Sequence, residues 1–179
     1  WGPGLDFGLI EEPEDAIEAT RAFLRRHPSL IGVKSNKGAA EAAYDDHLDA
    51  WYVTIDQEIS LSQPARNDLS GDNEMLVSAS VWRGGFRAFF RDGKMTMFGS
   101  AFYPGLSEQK WEAAIGSSEA YWVAVDDGPA PDSDHIESSA RLILLPFPVD
   151  GILDFRLCWE IRTKTESPKG HWVSFVDAV

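Results

Sequence analysis

The run Phe155-Arg156-Leu157-Cys158-Trp159-Glu160-Ile161-Arg162 carries an apolar side chain at every second position, and a period of two cannot keep one face of a helix apolar. It predicts a strand with Phe155, Leu157, Trp159 and Ile161 on a buried side. Arg156, Glu160 and Arg162 fall on the other side with Cys158 between them, the half-buried pattern of an antiparallel sheet. Two further runs flank it. Arg141-Leu142-Ile143-Leu144-Leu145-Pro146 reads as a strand apolar on both sides that ends at its proline, and Trp172-Val173-Ser174-Phe175-Val176-Asp177-Ala178 as a closing strand.

The rest of the chain alternates helices with strands. Pro13-Glu14-Asp15-Ala16 suits a helical first turn, Ile17, Thr20, Phe23 and Leu24 supply an apolar stripe, and His27-Pro28 stops it. A polar, alanine-rich connection over 36–49 leads to a strand at Trp51–Gln57, and the segment 63–73 reads as a loop. Met75–Trp82 is a further strand, with a turn expected at Gly84-Gly85. Asp92-Gly93 between Phe86–Arg91 and Lys94–Phe98 is a strong hairpin signal. A second helix is expected from Ser117 or Ser118 to Val125, capped by a serine and turning Ala120, Val123 and Ala124 to a sheet. The fold class is therefore α+β, in two halves of similar plan, 1–105 and 106–179.

Of 179 residues, 44% are hydrophobic and 25% charged, values of an ordinary globular chain with a substantial core. The formal net charge is −13. Phosphate neutralisation requires a basic face, so nucleic acid is not an expected partner, nor is an anionic membrane; a basic protein surface remains compatible. No apolar run has transmembrane length. The chain opens on Trp1 with no leader pattern, as expected of a processed or excised product. Its single cysteine excludes an internal disulfide, and Cys158 reads as a packing residue.

These features together resemble a known pairing. The apolar strand ending in Leu-Pro, the Leu157-x-Trp159-Glu160-Ile161 strand and the closing Val176-Asp177-Ala178 resemble the PepSY module of the propeptides of secreted thermolysin-like and fungalysin-like zinc proteases. Trp51–Gln57 resembles the strand ending in Gln of the fungalysin/thermolysin propeptide (FTP) module that precedes PepSY. The helix to Pro28, the hairpin and Phe102-Tyr103-Pro104 follow the same order, so that the resemblance spans roughly 14–178. After Gln57 the chain departs from the family: Glu58-Ile59-Ser60-Leu61-Ser62-Gln63-Pro64 and a polar insertion replace the usual Gly-x-Pro-Val turn. The resemblance implies two cystatin-like halves, each a sheet wrapped on one helix. It also implies a secreted, extracellular, non-catalytic domain that chaperones the folding of a zinc metalloprotease and inhibits it as a zymogen, with the mature protease domain as partner in cis or in trans. Gln57 and Asp177 match family positions and are assigned structural roles at sheet ends. The alternative is a stand-alone secreted or cell-surface module that inhibits a protease or binds another protein.

Enzymatic signatures are missing from the sequence. His27, His47, His135 and His171 are scattered with no His-Glu-x-x-His; His135-Ile136-Glu137 lacks the cysteine ligands of zinc deaminases; and Arg83-Gly84-Gly85-Phe86 precedes no helix that could take a phosphate. No catalytic residue and no cofactor are assigned. Asp132 and Asp134 are the calcium candidates, although their loop has no distal bidentate Glu and reads as a solvated turn. Seven Trp and ten Phe exceed what two small sheets bury, so exposed aromatic surface for a partner is expected.

Overall fold

The computed structural model describes residues 4–31, 38–62, 76–128, 135–166 and 169–179. The chain is α+β. In order, the elements are β1 (Leu5–Asp6), α1 (Pro13–Arg26), α2 (Pro28–Ile31), β2 (Ala40–Asp45), β3 (Ala50–Ser62), β4 (Leu76–Arg91), β5 (Lys94–Ser100), a 3₁₀ turn (Leu106–Glu108), α3 (Ser117–Asp126), β6 (His135–Val149), β7 (Ile152–Glu166) and β8 (Lys169–Asp177). Two compact units result: Trp1–Glu58 with Arg83–Glu108, and Ile59–Trp82 with Gln109–Val179. The chain thus passes from one unit to the other inside both β3 and β4.

In the first unit α1 lies on antiparallel strands, β1 pairing with β5, β5 with β4, and β2 with β3, which also pairs with β4. The helix begins as its sequence predicts: Pro13 sits in the first turn, and the Asp15 carboxylate accepts hydrogen bonds from the Glu11 and Glu12 backbone N–H groups at 3.2 and 3.1 Å. Ala16, Thr20, Phe23 and Leu24 face inward, and Phe23 packs with Phe86 at a ring separation of 5.7 Å. Val53, Ile55, Ala88, Phe90 and Met95 complete that core. The Asp92-Gly93 hairpin forms as expected, both residues at positive φ (+50° and +70°), the two left-handed positions of a type I′ turn.

Several expectations are corrected. The polar connection before Trp51 contains β2, whose Ala40–Asp45 pairs residue by residue with Ile55–Ala50. Gly84-Gly85 is no turn: β4 runs through it as a 16-residue strand. Arg83 takes φ +56° and Gly85 φ +151°, and a Cβ on Gly85 would stand 2.3 Å from the Ile55 carbonyl oxygen. The glycine admits a close approach of the β3 backbone there rather than a reversal. Gln57 lies in the interior of β3, not at a sheet end, because β3 continues through Leu61 to Ser62. The expected loop over 63–73 lies outside the described residues.

In the second unit α3 packs on β6, β7 and β8. The sheet is mixed: β4 pairs with β6 in parallel at Ser80–Ile143 and Val81–Leu144, whereas β6–β7 and β7–β8 are antiparallel. Leu157, Trp159 and Ile161 are buried on the α3 side, as the alternation requires, and the Trp159 indole N–H donates to the Ile115 carbonyl at 3.0 Å. The cap of α3 is Gly116 rather than a serine, and Val125 joins Ala120 and Ala124 in the core where Val123 was expected; Val123 is exposed. β6 does not end at Pro146 but continues through Pro148 to Val149. Pro146 and Pro148 are two apart, so their nitrogens point to the same side, and the ladder with β7 can include both when that side faces away from β7.

Candidate functional site

The face of the second unit's sheet away from α3 is the candidate site, and its composition follows from register. Arg141 on β6 stands opposite Glu160 on β7, which stands opposite Phe175 on β8; the adjacent row on one side is Ser139, Arg162 and Val173, and on the other Ile143, Cys158 and Asp177. Alternation alone makes this the polar face. Yet Glu160 is fully buried, and Ile143 and Cys158 beside it are buried too, so the middle of β7 is covered on both sides and the expectation of an open Glu160 is corrected.

A carboxylate removed from water must be paired and hydrogen-bonded to remain charged. Arg141 Nη2 donates to one Glu160 oxygen at 3.0 Å and Arg162 Nε to the other at 2.5 Å, while the two arginine side chains stay 50% and 56% exposed. Burial pushes the Glu160 carboxyl up; the hydrogen bonds and charges of Arg141 and Arg162 outweigh it and hold the group below its ordinary value. The glutamate is thereby an anchor from which two guanidinium groups project at fixed positions. Next to them Val173 and Phe175 are 50% and 41% exposed, with Trp82 edge-on to Phe175 at 5.3 Å. Arg156 lies 3.9 Å from Asp177 and over the Phe147 ring. On the opposite side of β8, a cleft of about 520 Å³ between α3 and β8 is lined by Ile115, Glu119, Val123 and Val176 among others.

Other candidates take structural places. Gln57 is buried, and its side-chain amide closes a pair of 2.8 Å bonds with the Tyr103 backbone, Nε2 donating to the carbonyl and Oε1 accepting from the N–H. Asp177 ends β8, and its carboxylate accepts from the Val179 N–H. Burial, then the charge of Asp177, raises the Cys158 thiol. His27 closes α1 against the Phe23 ring, His47 lies in the β2–β3 turn, and His171 is exposed on β8. The side chains of His135 and Glu137, and the calcium candidates Asp132 and Asp134, lie outside the described residues. Among the described residues no group of three His, Cys, Asp or Glu side chains is placed to hold a metal ion.

No family model, curated protein or solved structure matches this chain. Its function is therefore read from the site. The pairing of Glu160 with Arg162 had a visible signal, since residues two apart in a strand share a face; the contribution of Arg141 depends on β6–β7 register and had none.

Proposed function

We propose that this chain is a non-catalytic binding domain of propeptide type, which assists the folding of a secreted zinc metalloprotease and restrains it. The observation that carries the binding role is the Glu160-anchored arginine pair beside exposed Val173 and Phe175: apolar side chains and fixed, half-exposed guanidiniums are the composition of a protein-recognition surface. The FTP–PepSY resemblance supports the protease as partner. A long helix on antiparallel strands in the first unit, α1, and α3 on β6, β7 and β8 in the second support the outline of two cystatin-like halves, and we propose that architecture with it. Binding to the folded protease would stabilise it by mass action, and covalent linkage would make that binding intramolecular.

The deciding experiment is refolding of the denatured cognate protease with and without the chain. Higher recovered activity, a complex on size exclusion and slower proteolysis are expected, and a complex that weakens with salt if the net charge of −13 steers a basic partner. Equal recovery with no complex would leave the stand-alone binding or inhibitor module as the reading, which the same exposed surface also suits. A His-Glu-x-x-His downstream in the reading frame would favour the propeptide role.

A further inference from the structure

We propose that Arg141 and Arg162 form a receptor for one carboxylate side chain of the partner, positioned by Glu160, with apolar neighbours of that carboxylate resting on Val173 and Phe175. The inference rests on reading the chain as a binding module, and names the chemistry its surface selects. A guanidinium offers five N–H donors. Arg141 gives one to Glu160 through Nη2 and Arg162 one through Nε, so most of the fork of each remains for a ligand. Glu160 is fully out of water although its partners are half-exposed, an arrangement that fixes two long side chains whose freedom an incoming anion would otherwise have to remove.

Charge decides the class of anion. Two arginines and one glutamate sum to a single positive charge, which one carboxylate balances and a phosphate dianion exceeds. The net charge of −13 carried by the whole chain disfavours a dianion or polyanion further. On the neighbouring strand β8, half-exposed Val173 stands opposite Arg162 and Phe175 opposite Glu160, so the fitting segment carries a single acidic residue flanked by apolar ones.

A blocked short peptide with one glutamate between two valines is a sufficient probe, followed by the ¹⁵N–¹H signals of the Arg141 and Arg162 Nε–Hε groups in the full chain. Saturable shifts are expected with that peptide and none with its glutamine counterpart. Arg162→Lys keeps the charge but loses the fork, and should weaken binding about tenfold, the loss of one charge-assisted hydrogen bond. Glu160→Gln raises the local charge and yet should also weaken binding, because the arginines lose their anchor. Equal or tighter binding by Glu160→Gln would overturn the positioning role; should that variant fail to fold, unchanged binding by Arg162→Lys overturns the fork. A phosphoserine peptide that binds more tightly than the glutamate peptide would overturn the carboxylate assignment. None of these outcomes depends on a protease, so the propeptide reading can fail while the receptor stands.

Discussion

Glu160 has both carboxylate oxygens bonded to arginines that are themselves half in water, and this ties the sheet's stability to pH. Its folded-state value lies below the ordinary one. The group therefore contributes stability that is fully present above the unfolded value of about 4.3 and is lost as pH falls through the folded value. Urea midpoints of the wild type should drop in that acid window, and Glu160→Gln should flatten this part of the profile; an identical acid profile in the variant would remove Glu160 as a source. Arg141→Ala leaves one buried oxygen without its partner and should cost about 1–3 kcal/mol near neutral pH. Cys158, in the middle of β7, is buried with its thiol raised. A thiol reagent should label it only as fast as the sheet opens, and labelling in the native protein at the rate of a free thiol would contradict its placement.

Two Asp-Gly turns show how elements are and are not legible in this sequence. Asp92-Gly93 announces itself because alternating strands flank it. Asp150-Gly151 adopts the same left-handed pair, with φ +50° and +80°, but Pro146 and Pro148 precede it and prolines read as a strand's end. Only the register of the completed ladder shows that both prolines are tolerated. The same difficulty hides β2, whose alanines lack the β-branched signature of a strand, and the continuity of β4, where a glycine pair admits a close backbone approach instead of a turn. Gly93 and Gly151 should differ on substitution by alanine. A Cβ on Gly151 meets nothing within 4 Å, whereas one on Gly93 would stand 2.0 Å from the Gly8 carbonyl oxygen. Gly151→Ala should cost about 1–2 kcal/mol of backbone strain alone, and Gly93→Ala clearly more because the segment at Gly8 must move. Thermal melts that rank the two in the opposite order would refute the comparison. Trp159, whose burial the alternation did predict, should lose about 3–5 kcal/mol as Trp159→Ala, and an unchanged urea midpoint would mean that β7 shows its other face to the core.

At the scale of the molecule, the passage of the chain between units inside β3 and β4 sets what each unit needs. The second unit takes Ile59, Leu61, Ala79 and Val81 from the middle of the sequence, all of them buried. It takes from the same segment the parallel rungs that join Ser80 and Val81 to Ile143 and Leu144. A fragment of 109–179 contains α3 and the β6–β7–β8 ladder, yet it would leave the edge of β6 at Ile143 and Leu144 unpaired and the apolar surface under those four side chains in water. At about 25 cal/mol per Å² of apolar surface, four such side chains carry several kcal/mol, comparable to the whole stability of a domain this small. The expected outcome is that 109–179 alone keeps strand signal in far-ultraviolet circular dichroism but gives no fixed near-ultraviolet tryptophan signal and no cooperative urea transition, whereas the 179-residue chain gives both. A cooperative transition in the fragment, with dispersed amide resonances, would show that residues 59–82 are dispensable to that core.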